Sequence, residues 1–492
     1  MSEWVDQITA SFEKHYKIYC LIIALLAAIN LFFYLGKDPV MDWDEARHGV
    51  TAYEMLQNHD YIKLTYMGET DYYNLKPPLG MWLIGLAYQI FGYNAFALRF
   101  FSALSAFLLI LFAVFLARRL FNPSAAILTG LILATTFAVL YDHAGRTGDF
   151  DSILALLIII GVISLYKMKD DIRYFYLVGL CLSLAFLLKS FASFQLIAIT
   201  VVYLIIIRKL IKIKIRDYLL FLIILVIPVS LWAILRFNSD GSVFLQKMIS
   251  TDLLQRGTTV IDQHKHDIFF YVYNMIAGSF PWILLLFIIP FYKRKYFITN
   301  EKKKFSQWMD LQDFKRDPLL LIWFALLFLI FSLSQTKCHW YVKPLYPIVA
   351  ILIGWLLSSV IKPSFPKKKF FMIFFISLFV VSEVLMVGIM FVKKQDAGGF
   401  DHQIFTQLTT NSYPKNASIY ATNWSQSQIF IAEVLKGLKP YSLSDTLEFI
   451  KRAKPNDLVL ISNDTTNQSF IKQYQLKIIG ENKIWVLAQK KN

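Results

Sequence analysis

The sequence predicts a polytopic α-helical membrane protein, with about 11–13 transmembrane helices, followed by a small α/β domain. Three observations carry this. The 492 residues are 57% hydrophobic and 16% aromatic, more apolar than ordinary soluble domains. Apolar runs long enough to cross about 30 Å of hydrocarbon recur between residues 18 and 392. From Lys393 onward the composition turns polar and punctuated.

Taken in order, the runs give spans at 18–36, 96–117, 123–141, 150–166, 174–188, 192–207, 217–236, 268–292, 318–334, 344–361 and 370–392. The first follows a polar start with Lys14 and Lys17 and ends without a small-residue cleavage site, so it reads as a retained span. Leu79–Phe91 is apolar but short, and reads as an interfacial or re-entrant helix opened by Pro77 and Pro78. Residues 1–392 form the membrane domain with its loops, and 393–492 a soluble α/β domain. In the latter, Ser418–Thr422, Leu458–Ser462, Leu476–Ile479 and Ile484–Ala488 read as strands, and Ile429–Leu438 and Asp445–Ala453 as helices.

The net charge of +16 does not point to nucleic acid. The cations fall in short clusters between apolar runs, as in loops facing an anionic leaflet. With the N-terminus cytoplasmic, the inner segments hold 24 Lys and Arg and the longer outer ones 11. The bias therefore puts the tail domain on the outer side of the membrane. Three scattered cysteines build no disulfide framework.

The same topology gathers polar residues on the outer face. The first loop holds Asp42, Asp44, Glu45, Arg47 and Lys76, and the second Asp142, His143, Arg146, Asp149 and Asp151; Lys343 falls in a later one. Lys189 ends the fifth span, and later loops bring Arg256, His264, His266, Lys337, His339 and Tyr341. Ionisable groups near lipid are costly and need a reason. Asp44 or Glu45 is a candidate general base, since a carboxylate can take the proton from an attacking hydroxyl. Arg47, three residues on, is expected to keep Asp44 ionised. Lys76, stiffened by the two prolines after it, and Arg256 suit a phosphate. Each has a plainer reading as well: a solvated turn, a helix start, a snorkelling lysine, a surface charge. Asp149 and Asp151 equally suit capping. No cofactor is required by the sequence. His264 and His266 are the weak candidate ligands for a divalent metal.

Several segments resemble, in the same order, the GT-C glycosyltransferases, in their bacterial aminoarabinose-transferase and protein O-mannosyltransferase-like (PMT-type) branch. They are Asp44-Glu45-x-Arg47; Lys76-Pro77-Pro78-Leu79; Ala97-Leu98-Arg99-Phe100; Arg146 with Asp151; Ala185–Ser190; Gln263-His264-Lys265; and the series Ser334, Lys337, Tyr341, Pro344, Pro347. The resemblance spans roughly residues 40–360. It implies an enzyme that takes a sugar from a polyprenyl-phosphate donor, with lipid A, another envelope glycan or a protein as acceptor. It makes Asp44 the base and Lys76 and Arg256 the phosphate ligands, with Tyr341 nearby. Asp151 becomes a second carboxylate shaping the site. Leu75 stands where many members carry an acid next to the lysine, which counts against a metal there. Ser190 stands where they carry glycine. A transporter or flippase of lipid-linked sugars, and a non-catalytic assembly subunit, are the competing readings. Few acids lie mid-span, Glu383 excepted, which disfavours a translocation path.

Overall fold

The protein is described by a computed structural model covering residues 3–209, 211–255, 266–300, 317–392, 397–408, 413–414 and 417–491. Every apolar run predicted to span is helical, because a backbone in lipid must satisfy its own hydrogen bonds. An amphipathic helix α1 (Glu3–Lys14) turns through 90° into α2 (Tyr16–Phe32). After the first loop come α3 (Asp44–Asn58), a hairpin of β1 (Thr65–Tyr66) and β2 (Glu69–Thr70), and α4 (Leu79–Phe91). The long α5 (Ala95–Leu120) is capped by the Asn94 side chain, which accepts from the Ala97 amide. Next are α6 (Pro123–Ala134), the short α7 (Phe137–Leu140), α8 (Asp151–Lys167), α9 (Arg173–Lys189), α10 (Phe194–Ile206), α11 (Ile215–Asp240) and α12 (Val243–Met248). Further apolar helices occupy Phe270–Gly278, Ile283–Asn300, Leu319–Leu333, Tyr346–Val360 and Lys368–Phe391.

Among the described residues, five helical stretches are long and apolar enough to cross a membrane, or seven if each bent pair counts as one. The eleven expected segments coincide with helices, but several are shorter or bent. The expected span at 192–207 continues the helix before it through a tight turn at Ser190–Ser193. The segment at 268–292 is two helices meeting at 95°. Leu79–Phe91 is a 13-residue helix, as its length and the prolines before it led one to expect. Helices α5, α6, α8 and Tyr346–Val360 pack into one core. Helix α11 and Lys368–Phe391 present mostly exposed apolar side chains, as lipid-facing helices do.

The tail carries a five-stranded sheet of β3 (Ser418–Ala421), β4 (Lys439–Ser442), β5 (Leu458–Ser462), β6 (Lys477–Glu481) and β7 (Trp485–Gln489), in the order β4-β3-β5-β7-β6. Strand β3 runs parallel to β4 and β5, and β7 antiparallel to β5 and β6. Four of these strands fall on the predicted segments. The fifth, β4, contains Pro440, which a sheet tolerates because β4 is an edge strand. Ala397–Thr406 and Thr465–Gln473 add helices that were not foreseen.

This tail rests on α3. Gln426–Phe430 packs against it, and the Phe430 ring leaves so little room at Gly49 that a Cβ there would sit 2.5 Å from it. The Ser427 amide donates to Asp42 at 2.6 Å, two residues before Asp44. Asp401 ties the same turn together, accepting from Ser425, Ser427 and Gln428 at 2.9, 2.9 and 2.8 Å.

Candidate active site

Asp44 opens α3. The residue before it, Trp43, holds φ +68°, a backbone state that L-residues rarely adopt and that tends to occur at functional sites. It turns Asp44 toward Lys76, whose Nζ donates to Asp44 Oδ1 at 3.2 Å and to Asn74 Oδ1 at 3.3 Å. The lysine arrives there because Asp71 caps the turn before it, accepting from the Tyr73 and Asn74 amides at 2.8 and 3.1 Å. Asp71 is itself held by Arg47, through Nε and Nη2 at 2.8 Å each. The expected Arg47–Asp44 pair is therefore replaced by a bidentate Arg47–Asp71 pair. A guanidinium fork matches a buried carboxylate better than a partner one turn away. Burial works against the charge on Asp71, but Arg47 and the two amides bring its pKa below the usual value.

Glu45 differs from its neighbour. Its side chain is buried, and both oxygens are occupied: Arg99 Nε and the Gly148 amide donate to Oε1 at 2.6 and 2.8 Å, Arg99 Nη2 and the Met41 amide to Oε2 at 3.1 and 2.8 Å. Arg99 also binds the carbonyls of Leu35, Asp38 and Pro39. Glu45 is thus a clamp between the first loop, α5 and the second loop, with no oxygen left to accept a substrate proton. The sequence reading of Glu45 as a catalytic carboxylate does not match this geometry. Gly148 permits the approach, since a Cβ there would lie 2.8 Å from Leu98 and 3.2 Å from the Glu45 side chain.

The second loop closes the site. His143 Nδ1 lies 3.3 Å from Asp149 Oδ1, an ion-pair contact rather than an aligned hydrogen bond, and its ring stacks on Trp340 at 4.1 Å. Ser102 Oγ donates to the Asp149 carbonyl. Asp142 and His143 both take positive φ, at 56° and 53°. Asp142 accepts from or pairs with His339 Nε2 at 2.9 Å, with Lys343 at 3.9 Å. Asp151 receives Lys189 at 2.7 Å, both largely buried. Ser190, next to Lys189, holds φ +43°, the conformation for which glycine would be the natural residue. His48, one helical turn after Asp44, stacks on Phe150 at 4.0 Å, and its Nδ1 sits 3.2 Å from the Gly148 carbonyl.

The electrostatics follow from these contacts. Burial opposes the charge on Asp44, but Lys76, then His48, Lys189 and His143, hold its carboxyl well below the usual carboxylate range. Burial and Lys76 push His48 down to about 4, so its imidazole is neutral. Burial alone would lower His143, yet Asp149, then Asp151 and Asp44, raise it to about 9. Burial raises Asp149 while His143 lowers it further, so it stays ionised. Asp44, His143 and Asp149 each offer a ligand atom, all within 4.8 Å of one another, as do Asp142, His143 and His339. One imidazole and two carboxylates suit a divalent cation. Of the two histidines expected from sequence, His264 lies outside the described residues, and His266 is exposed and stacks on Phe270 at 3.9 Å.

The remaining expected residues divide. Arg146 turns away and caps the end of α2 through the carbonyls of Asn30, Leu31 and Phe33 at 2.8, 3.2 and 2.9 Å. Lys337 donates to the Ser334 carbonyl at 2.6 Å. Tyr341 packs near Phe331. Arg256 and His264 lie outside the described residues. Asp142, His143, His339 and Lys343, expected on the outer face without a stated role, join the site. His48 was not foreseen; its i, i+4 step from Asp44 was the one local signal available.

The family model described as dolichyl-phosphate-mannose-protein mannosyltransferase matches residues 75–232. The chain is 27% identical over 340 residues to an undecaprenyl phosphate-α-4-amino-4-deoxy-L-arabinose arabinosyl transferase of Pseudomonas fluorescens, covering 67% of this chain and 55% of that one. An arabinosyl transferase of the same description from Pectobacterium carotovorum is 25% identical over 352 residues, 69% and 59% of the two chains. In these matches the chain is similar to the GT-C superfamily, in its aminoarabinose-transferase and PMT-like branch. It is an integral membrane protein. The match spans less than two thirds of those two transferases. The fold agrees with that of ArnT from Cupriavidus metallidurans bound to undecaprenyl phosphate, at TM-score 0.70 and 17% identity, covering 96% of this chain and 97% of that one. An uncharacterized protein of Aquifex aeolicus is 26% identical over 377 residues, 75% of this chain and 70% of that one.

Proposed function

We propose that this protein is an inverting glycosyltransferase that moves a sugar from a polyprenyl phosphate to a hydroxyl or amine of an envelope acceptor (lipid A, another glycan or a protein), on the outer face of a bacterial inner membrane. The observation that carries the reading is the Asp44–Lys76 contact at 3.2 Å, in a cradle of further cations and carboxylates. The similarity to undecaprenyl phosphate-aminoarabinose arabinosyl transferases, and undecaprenyl phosphate in the ArnT structure, support a polyprenyl-phosphate donor.

In the resting site Lys76 neutralises Asp44. The donor phosphodiester, whose single negative charge grows toward two as its bond to the sugar breaks, draws Lys76 away. Asp44 then loses its strongest cation and becomes a better base when the substrate is in place. The acceptor oxygen or nitrogen attacks the anomeric carbon from the side opposite the phosphate, Asp44 takes its proton, and the bond from anomeric carbon to phosphate oxygen breaks. Polyprenyl phosphate leaves with the bonding pair, met by Lys76 and, in the family pattern, Arg256. The Glu45 and His48 contacts to Gly148 hold the second loop against α3, while the Lys189–Asp151 pair ties α9 to the start of α8 and the His143–Asp149 pair braces the loop itself. The donor supplies the free energy, so the reading requires no cofactor. A divalent cation, where one binds, fits Asp44, His143 and Asp149 and would add positive charge there.

The test is purified protein with a set of polyprenyl-phosphate sugars and candidate acceptors, following free polyprenyl phosphate and product anomers. Acceptor-dependent release with inverted configuration is expected. Retained configuration, or donor binding with no release for any acceptor while the protein remains folded, would overturn the proposal.

A further inference from the structure

Beside the Asp44 cradle, the second loop carries another group of ligand-type side chains. Asp142 and His143 lie in that loop, and His339, 197 positions after Asp142, opens the short helical turn His339–Leu345. His339 Nε2 sits 3.0 Å from Asp142 Oδ1 and 2.9 Å from Oδ2, so it faces both carboxylate oxygens at once. One ligand atom from each of Asp142, His143 and His339 lies within 4.8 Å of the others. In a tetrahedral zinc site, with bonds of about 2.0–2.2 Å, ligand atoms stand roughly 3.3 Å apart. Side-chain rotations that close roughly 1.5 Å or less complete such a site here.

His143 is held as metal-bound histidines are held. Its Nδ1 faces Asp149 Oδ1 at 3.3 Å, and its ring stacks on Trp340 at 4.1 Å. A carboxylate behind one ring nitrogen fixes the tautomer and leaves the other, here Nε2, for a metal. Asp149 is buried, and Ser102 anchors its carbonyl. The plain alternative is an ordinary histidine–carboxylate pair at a wet surface, since the side chains of His339 and Asp142 are 35 and 46% exposed. That accounts for two of the three groups. It does not account for a second imidazole, backed by its own buried carboxylate, converging on them.

The trio Asp44, His143 and Asp149 meets the same distance condition and is the rival seat for a metal. There, however, Lys76 already stands 3.2 Å from Asp44 and repels a second cation. Beside Asp142 the neighbouring ammonium, Lys343, is further off at 3.9 Å and donates to the Ala138 carbonyl at 3.1 Å. We propose that Asp142, His143 and His339 bind one zinc ion, with water in the fourth position, and that the ion ties the second loop to the segment before Tyr346–Val360. Two imidazoles and a carboxylate suit zinc, whereas magnesium and calcium take oxygen ligands. The acids around His143 favour positive charge, and zinc brings two units where a proton supplies one. Zinc binding at this place does not depend on the sugar-transfer reaction.

Calorimetric titration of zinc into the full chain in detergent, after treatment with a chelator, tests it. One zinc per chain is expected, with no competition from magnesium or calcium. D149N, which removes the carboxylate behind His143, weakens zinc by about 10–100-fold, and D142N and H339Q, which each remove a ligand, weaken it further. D44N keeps all three ligands and retains zinc. Cobalt(II) in place of zinc reports the geometry without any substitution, through the strong visible absorption of a tetrahedral site. Zinc lost in D44N but kept in H339Q moves the metal to the rival trio and overturns the proposal. So do zinc affinity unchanged in both D142N and H339Q, an octahedral cobalt spectrum, and no binding by the unaltered chain. Melting temperatures in chelator equal to that of the unaltered protein exclude misfolding as the cause of any loss. Because turnover is not the readout, either result is separate from the role of Asp44 as base.

Discussion

Asp44 and Glu45 are neighbours in sequence, and substituting each should fail in a different way. In Glu45→Gln one carboxylate oxygen becomes an amide nitrogen. If that nitrogen takes the Oε2 position it faces the Arg99 Nη2 and Met41 donors, and at the Oε1 position it faces Arg99 Nε and the Gly148 amide. Either way two donors are orphaned, and Arg99, 1% exposed, is left a buried cation without counter-charge. Breaking such a pair costs about 3–5 kcal/mol, against a total stability of roughly 5–15 kcal/mol for a typical domain. Adding Arg99→Met does not restore it, because the carbonyls of Leu35, Asp38 and Pro39 then lose their donor. Asp44→Asn removes a half-buried pair, with side chains 34 and 18% exposed, and leaves Lys76 its Asn74 partner, so it costs less stability. Thermal unfolding in detergent, with turnover normalised to folded protein, separates the two. Glu45→Gln should melt markedly lower while its folded fraction turns over within about tenfold of normal, far short of the loss expected for a missing base. Unchanged melting with turnover abolished would make Glu45 the proton acceptor and refute the assignment.

Other substitutions test the surrounding parts. Lys76→Ala should weaken donor affinity by roughly ten- to a hundredfold, the value of a charged hydrogen bond, seen in KM before kcat. His143, raised to about 9 by Asp149, stabilises the loop fully below its unfolded pKa near 6.5, and that contribution disappears as pH rises through about 9; melting curves from pH 6 to 10 should show a fall that His143→Gln removes. Glu433, where the tail domain meets Glu54 of α3, is pushed up to about 9 by burial and by Glu54. Its protonated form stabilises the docked tail below the unfolded value near 4.5, with the benefit lost through about 9, so Glu433→Gln should raise the melting temperature at pH 9 and flatten its pH dependence.

How much of this was legible in the sequence depends on the range of each interaction. The helices were, because an apolar run of membrane length admits little else. The grouping of Asp44, Lys76, Asp149, Asp151 and Lys189 on one face followed from counting spans. What failed was pairing. Arg47 was matched to Asp44 by proximity in sequence, whereas its partner Asp71 lies 24 residues away and is aimed by a turn. Arg146 looked like a member of the site and instead caps α2, whose terminal carbonyls face a low-dielectric region and need a cation. Glu45 and Asp44 could not be told apart until Arg99, on a different helix, was seen to take one of them. Strand β4 was hidden by its proline, and the seat of Phe430 on Gly49 by a separation of several hundred residues.

The proposed transfer turns on Asp44 taking the acceptor proton while Lys76 moves to the phosphate. Single-turnover release of polyprenyl phosphate by Asp44→Asn, with donor affinity measured on the same preparation, tests this most directly. Release should slow by about 10²–10⁴-fold, the usual contribution of a general base, with donor bound at least as tightly because Lys76 is freed from its carboxylate. Release at the normal rate, or donor affinity lost together with turnover, would contradict it.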